Sequence, residues 1–227
     1  TSAPSAEFVL TTDYTPPDAS KLAITGVEDD VGGITGNVAS GATTDDSRPV
    51  ISGTGTARDT IIVMVKDSTG SRELGRATVG ADGKWTLQVS TPLLEGSNEF
   101  TAIEMDPAGN QTAPSAPYTV TLDSVPPSVP VIQNVQDDVG VVHMLQKGEV
   151  TDDAKPTIIG TAQAGNTIKV YDGATLLGQV VADASGKWSF TPETALADGP
   201  HDITATATNS VGQTSDATGI WNFVVDT

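Results

Sequence analysis

Paired aspartates are the residues of this sequence whose types and spacing could do chemistry. They stand at 29–30 and 45–46, and again at 137–138 and 152–153. Two charges about 4 Å apart repel by about 4 kcal/mol at an effective dielectric of 20, so carboxylates held together need a cation. Ca²⁺ is the cation that prefers carboxylate, carbonyl and water oxygens. Zinc and copper sites are implausible, because the sequence has no cysteine and only 2 histidines.

Further aspartates stand in front of paired prolines. Residues 13–17 read Asp-Tyr-Thr-Pro-Pro and residues 123–127 read Asp-Ser-Val-Pro-Pro, and a third copy of the pattern begins at Asp226. Proline fixes φ, lacks an amide donor and restrains the residue before it, so these segments are stiff spacers. We interpret them as joints between modules, each joint carrying one carboxylate.

The residues between these acidic positions repeat in one order along the chain. Residues 49–54 and 156–161 share the pattern Pro-x-Ile-x-Gly-Thr, and Gly-Lys-Trp occurs at 83–85 and 186–188. Such ordered matches indicate an internal duplication. Residues 203–208 alternate strictly between apolar residues and threonine, which is the period of a half-buried strand.

About seven short strands in about 105 residues, without helix signals, predict an all-β fold of tandem Ig-like β-sandwiches arranged end to end. We predict two modules, residues 13–122 and 123–227, and we interpret residues 1–12 as the last strand of a preceding repeat. Trp85 and Trp188 are interpreted as core anchors rather than as ligand platforms.

In such a sandwich, the first interstrand loop lies at the end where the chain leaves the module. The two aspartate pairs of each module should therefore meet the aspartate of the following joint. The turn at residues 106–110 should lie at the opposite end. A single Asp-Asp pair is more typical of a solvated turn, but repetition of the whole set beside each joint favours calcium. The predicted groups are Asp29, Asp30, Asp45, Asp46 and Asp123 in one module, and Asp137, Asp138, Asp152, Asp153 and Asp226 in the other.

The composition narrows the classes of molecule that the chain could bind. The 11 basic against 29 acidic side chains give a net charge of −18, which disfavours nucleic acids and anionic membrane surfaces. The 37% of hydrophobic residues favours a folded core over a disordered acidic chain. No apolar run approaches the roughly 20 residues that span a bilayer, and no segment resembles a signal peptide.

The ordered motifs resemble the bacterial Ig-like repeats of giant, non-fimbrial, type I-secreted adhesins of the RTX type, over essentially the whole chain. The resemblance implies a secreted or cell-surface rod of modules, with calcium at and near the joints, that attaches to host cells or biofilm matrix. It extends the calcium role to Asp13, and also to Asp106 in the Asp-x-Ala-Gly-Asn turn. Asn209 replaces Asp106 in the second module, so a site that uses this turn should be weaker there.

Three kinds of function remain to be weighed. Catalysis is disfavoured, because neither histidine recurs between the repeats and no nucleophile motif is present. A calcium-rigidified spacer of an adhesin is the preferred function, and the alternative is a module that binds a receptor or glycan on its sandwich surface. The expected partners are a host glycan or glycoprotein, or biofilm matrix, and neighbouring repeats of the same chain. The chain is expected to be a monomer.

Overall fold

The alternation in the sequence becomes strands in the computed structural model, which describes residues 12–227. In the strand Gly199–Thr208, the apolar side chains of Ile203, Ala205 and Ala207 are fully buried, and polar residues separate them. The described residues contain no α-helix, only the 3-10 turn Ala19–Lys21, and no helix among them is long and apolar enough to cross a membrane. The strand predicted for residues 1–12 lies, apart from Thr12, outside the described residues.

The chain divides into two compact units, Thr1–Ser124 (module 1) and Val125–Thr227 (module 2). The strands of module 1 are β1 (Ala23–Asp29), β2 (Gly36–Val38), β3 (Thr43–Thr44), β4 (Val50–Thr54), β5 (Thr60–Asp67), β6 (Gly70–Thr78), β7 (Lys84–Gln88), β8 (Gly96–Met105) and β9 (Tyr118–Leu122). Those of module 2 are β10 (Val131–Asp137), β11 (His143–Met144), β12 (Val150–Thr151), β13 (Thr157–Thr161), β14 (Thr167–Asp172), β15 (Thr175–Val181), β16 (Lys187–Phe190), β17 (Gly199–Thr208) and β18 (Trp221–Val225).

Each module is a sandwich of two sheets with the same strand order. Module 1 has a four-stranded sheet β2-β1-β4-β7 and a five-stranded sheet β3-β9-β8-β5-β6. Module 2 repeats this as β11-β10-β13-β16 and β12-β18-β17-β14-β15. The described pairs are antiparallel except β3 with β9 and β12 with β18, which run parallel. The predicted all-β fold of tandem Ig-like sandwiches is therefore confirmed.

A tryptophan anchors each core, as predicted. Trp85 is 2% exposed and Trp188 is 3% exposed. The indole Nε1 of Trp85 donates to the carbonyl of Thr54 at 3.0 Å, which satisfies its polar atom inside the core. The rest of each core comes from the inward residues of both sheets, including Phe100 in module 1 and Phe223 in module 2.

The glycine of the Pro-x-Ile-x-Gly-Thr motif lies directly under this tryptophan. A Cβ at Gly160 would lie 2.1 Å from the carbonyl oxygen of Val131 and 2.3 Å from Cζ2 of Trp188. Gly53 has the same surroundings, 2.1 Å from the oxygen of Ala23 and 2.4 Å from Cζ2 of Trp85. The repeated glycine therefore lets the backbone approach the indole ring closely.

We predict that Gly160→Ala lowers the stability of module 2 by roughly 1–3 kcal/mol or more, because the added methyl forces the ring or the backbone to move. The measurement is urea unfolding, with hydrogen exchange locating the loss in β13 and β16. Gly219→Ala is the control, since a Cβ there meets nothing within 4 Å. Equal stabilities of the two variants would contradict this account.

Candidate metal centre

The acidic loop of module 1 is organised around one buried hydroxyl. Thr44 ends β3 and has no exposed surface. Its Oγ1 donates to Oδ2 of Asp29 at 2.6 Å and accepts from the backbone N–H of Asp46 at 3.1 Å. The other oxygen of Asp29 accepts from the N–H of Val31 at 3.0 Å. Thr44 therefore holds the end of β1 against the second aspartate pair.

Two carboxylate oxygens in this loop lack a hydrogen-bond partner. Oδ1 of Asp45 and Oδ2 of Asp46 are both buried and unpaired, although Oδ1 of Asp46 accepts from the N–H of Arg48 at 2.7 Å. Burial raises the pKa of Asp45, and the charge of Asp29 raises it further. Burial also raises the pKa of Asp46, against the hydrogen bond from the N–H of Arg48 that lowers it. The loop thus holds negative charge that its own donors leave unbalanced.

The joint aspartate meets this loop through its backbone. Parallel pairing places Leu122 beside Thr44, and the N–H of Asp123 donates to the carbonyl of Thr44 at 2.9 Å. The structure therefore brings the two pairs at 29–30 and 45–46 together and sets the start of Asp123 next to them. Asp30 lies on the exposed side of the loop, whereas Asp29, Asp45 and Asp46 are buried.

Module 2 repeats the same frame around Thr151. Its Oγ1 donates to Oδ2 of Asp137 at 2.6 Å and accepts from the N–H of Asp153 at 3.0 Å. The N–H of Asp226 donates to the carbonyl of Thr151 at 2.9 Å. The two threonines stand directly before the second aspartate pairs, at residues 44–46 and 151–153, but their role was not predicted from the sequence. Their signal was the repetition of a hydroxyl residue immediately before each second pair.

The two loops differ in how far their carboxylates are satisfied. Asp152 is exposed, whereas its counterpart Asp45 is buried. Oδ2 of Asp153 accepts from the N–H of Asp138 at 3.3 Å, whereas the same atom of Asp46 has no partner. The loop of module 1 therefore holds more buried carboxylate oxygens without a hydrogen-bond partner than the loop of module 2.

Asn110, rather than a threonine, links Asp13 and Asp106 in module 1. The amide of Asn110 donates to Oδ2 of Asp106 at 2.8 Å and to the carbonyl of Asp13 at 3.2 Å. Hydrogen bonds from Asn110 hold the pKa of Asp106 below its usual value. Asn209 closes the same turn in module 2 without a charge, accepting from the N–H of Gln213 at 3.0 Å. The Asp106 carboxylate is thus already satisfied by its own turn.

A fully buried glutamate in module 1 was missed by the sequence analysis. Glu104 has no exposed surface, one of its oxygens accepts from the N–H of Thr56, and Oε2 has no partner. Burial raises its pKa, and burial and the charge of Asp106 raise the pKa of neighbouring Asp59. The signal was a charged residue at an inward position, following Phe100 and Ala102, where module 2 has Ala207.

His201 occupies in β17 the position that Asn98 has in β8. Its Nδ1 lies 2.7 Å from Oδ2 of Asp172 and its Nε2 lies 2.8 Å from the carbonyl of Ala197. The ring is 7% exposed and packs beside Phe223 at a centroid distance of 5.6 Å. This histidine ties β17 to β14 and to the preceding loop.

Across residues 12–227, no group of three or more acidic or histidine side chains is arranged in a way that could hold a metal ion by itself. The donors around Thr44 are nevertheless all oxygens, and two of them are buried and unpaired. A hard cation fits this chemistry when backbone carbonyls and water complete its shell, as is usual for calcium.

The family described as Bacterial Ig-like domain matches residues 21–124 and 127–227. A search of the curated proteins finds no match. Among solved structures, a biofilm-associated protein (BSP domain) is 23% identical, with 81% of this chain and 28% of that chain covered and a TM-score of 0.31. A structure from work on host cell surface retention of a 1.5-MDa bacterial ice-binding adhesin is 18% identical. The match covers 80% of this chain and 58% of that chain, with a TM-score of 0.38.

A tetra-tandem repeat from the extending region of a large adhesion protein is 23% identical, covering 82% of this chain and 49% of that chain, with a TM-score of 0.31. The chain thus spans less than two thirds of the length of each of these three structures. At such identities and TM-scores, the similarity says nothing about what this chain binds.

We predict that replacing Gly55 and Glu104 together by alanine stabilises module 1 at pH 7. The double variant reproduces Ala162 and Ala207 of module 2, and a Cβ at Gly55 would otherwise lie 2.9 Å from Oε1 of Glu104. A pKa raised by folding contributes stability that is present below the unfolded pKa and is lost as pH rises through the folded pKa. Removing Glu104 should therefore raise stability at pH 7 by about 1–3 kcal/mol.

The same variant should also reduce the pH dependence of module 1 stability between pH 4 and pH 7, leaving the contributions of Asp45, Asp46 and Asp59, whose pKa values are also raised. Calorimetric unfolding across this pH range, with hydrogen exchange to separate the modules, provides the measurement. A loss of stability at pH 7 would show that the Glu104 carboxylate is a favourable part of the fold.

Proposed function

Because the chain belongs to the bacterial Ig-like domain family, matched over residues 21–124 and 127–227, we propose that it is a calcium-stabilised segment of a large bacterial surface adhesin. Its modules space out or mediate attachment to host cells or biofilm matrix, outside the cell and after type I secretion. The observation that carries the calcium part is the pair of buried, unpaired oxygens on Asp45 and Asp46.

A cation at this loop resolves two costs at once. Buried polar atoms without partners cost free energy, and adjacent carboxylates repel. Ca²⁺ would be held by the unpaired oxygens of Asp45 and Asp46, with backbone carbonyls and water completing its shell, and Asp29, Asp30 and Asp123 would surround it. When bound, it supplies a positive charge that balances the carboxylates. The corresponding residues in module 2 are Asp137, Asp138, Asp152, Asp153 and Asp226.

A spacer role agrees with the surface of the described residues. Among the aromatic side chains at positions 12–227, only Tyr14 is exposed, at 81%. The others are buried or half-buried in the sandwiches. Aromatic side chains are frequent in ligand sites, so this favours the spacer over a dedicated glycan-binding surface.

The joint gives the spacer its mechanical property. Asp123 is the residue that leaves module 1, and Pro126 and Pro127 follow after two residues. Calcium bound to the loop would fix the carboxylate of Asp123, so fewer residues of the joint remain free to rotate. In the calcium-poor cytoplasm the joint would stay flexible for export, and it would stiffen outside the cell.

We predict that calcium raises the unfolding free energy of each module, by about 2.7 kcal/mol at a concentration 100 times the Kd of its site. Asp45→Asn with Asp46→Asn should abolish the increment in module 1, and Asp152→Asn with Asp153→Asn the increment in module 2. Module 1 should bind more tightly, because two of its oxygens have no other partner. Calorimetric titration and unfolding with calcium or chelator provide the measurements.

The control for this series is Asp216→Asn, which removes one exposed charge whose carboxylate makes no hydrogen bond or ion pair in the described structure. It should bind and respond to calcium as the parent does. If calcium leaves both modules unchanged, or if the Asp45/Asp46 variant responds normally, the aspartates are ordinary turn residues.

We predict that calcium also narrows the range of shapes that the chain adopts in solution, and that Asp123→Ala removes this effect. The reason is that the metal immobilises the residue that begins the joint, whose proline pair already restricts the backbone. Small-angle scattering with calcium and with chelator tests this, with Asp216→Ala as control. Identical scattering of parent and Asp123→Ala in calcium would reject the rigidifying role while leaving calcium binding itself intact.

A further inference from the structure

The edge strand β6 of module 1 carries charged side chains that disfavour pairing with a strand of another chain. β6 is the last strand of its sheet and pairs only with β5. Arg76 donates to Glu73 through Nε at 2.8 Å and through Nη2 at 3.1 Å, and Arg72 pairs with Asp67 at 3.1 Å. Charged side chains on an edge strand discourage pairing with another chain.

The corresponding edge of module 2 has none of these charges. β15 is the last strand of its sheet, and its sequence Thr-Leu-Leu-Gly-Gln-Val-Val lacks any ionisable residue. Leu176 is 51% exposed and Val181 is 59% exposed. The two edges therefore differ in chemistry, although their folds match.

Register makes this comparison position by position. Glu73, Arg76 and Thr78 lie opposite Met64, Ile62 and Thr60 of β5. Leu176, Gln179 and Val181 lie opposite Tyr171, Lys169 and Thr167 of β14. The ion pair Glu73–Arg76 of module 1 is thus replaced by Leu176 and Gln179 in module 2.

The backbone of β15 is also open on its outer side. The N–H of Ala182 donates to the carbonyl of Asn166 across the β14 ladder at 2.9 Å. Alternate residues of an antiparallel strand face opposite sides, so Gln179 and Val181 direct their N–H and C=O groups away from β14. Within residues 12–227, no hydrogen bond outside the β14 ladder involves the backbone of Thr175–Val181.

We propose that β15 pairs edge to edge and antiparallel with β15 of a second copy of this chain. The identical strand has 7 residues and no charge, so the pair brings no like charges opposite each other. The strand at the other edge of the same sheet, β12, has only 2 residues, which is too short to pair with the β15 of a further copy and so extend the sheet from chain to chain. A two-fold pair that closes on itself is therefore the arrangement that uses the full open edge.

The net charge of −18 determines the conditions under which this pair forms. Two acidic copies repel each other at low ionic strength. At 0.1 M salt, repulsion between charges more than about 10 Å apart is largely screened. The pairing should therefore strengthen as salt is added, unlike an association driven by ion pairs. The sequence predicts a monomer, so pairing is expected only at high concentration or where neighbouring chains are crowded together and weak contacts multiply.

Sedimentation equilibrium of the 227-residue chain over a wide concentration range tests the proposal. Leu176→Glu with Gln179→Arg transplants the charged pair of module 1 onto β15 and should weaken self-association at least about tenfold, a change of about 1.4 kcal/mol. Thr78→Lys, at the counterpart of Val181, is the control and should leave it unchanged. Val181→Lys is a second variant in case the double substitution fails to fold.

A gain of function completes the test. Glu73→Leu, Arg76→Gln and Thr78→Val together give module 1 the edge of module 2 and should produce species larger than a dimer. Hydrogen exchange should slow at the amides of Gln179 and Val181 on association of the parent chain. A chain that stays monomeric at millimolar concentration, or pairs equally well with the transplanted charges, would overturn the proposal. So would protection that appears at another surface.

Discussion

The geometry of each acidic loop depends on one buried hydroxyl with a single proton to give. Thr44 gives that proton to Asp29 and accepts from the N–H of Asp46, while its carbonyl receives the N–H of Asp123. Three segments far apart in sequence thereby meet at one residue. The parallel pairing of β3 with β9 makes this possible, because it carries the exit strand past the loop before the joint begins. Replacing the hydroxyl by an apolar group would leave both Asp29 and Asp46 with a lost partner.

The sequence predicted the architecture well because its evidence was periodic and repeated. Alternation in β17 placed Ile203, Ala205 and Ala207 inward, and each Gly-Lys-Trp motif placed a tryptophan in the core. The two-residue strands β3 and β12 were not predictable, since they have no period and form only through parallel pairing with the exit strand. The convergence of the acidic loops followed from sandwich topology alone.

Individual roles within the candidate site were harder to predict, because they depend on hydrogen bonds rather than on residue type. Asp45 and Asp152 hold the same place in the repeat, yet one is buried and the other exposed. Asp106 resembles a ligand by type, but Asn110 satisfies its carboxylate, and Asn209 does the same structural work without a charge. The burial of Glu104 was not predicted, because a strand is recognised by apolar residues at its inward positions and a glutamate there interrupts this alternation of apolar and polar residues.

Module 1 holds buried carboxyl groups in two places, and their surroundings indicate different solutions to the same imbalance. Around Thr44 the neighbours of the unpaired oxygens are other carboxylates and backbone groups, so the divalent cation of the proposed function would satisfy several of them together. Around Glu104 the hydrogen-bond donor is the amide of Thr56, and the nearby charge of Asp59 adds to burial in raising the pKa of Glu104, so binding a proton removes its charge. Protonation at one end and cation binding at the other both remove negative charge, but only the second holds separate segments of the chain together. Under the proposed function, calcium would be the agent by which the acidic composition contributes to rigidity, whereas the raised pKa of Glu104 makes the stability of module 1 sensitive to pH.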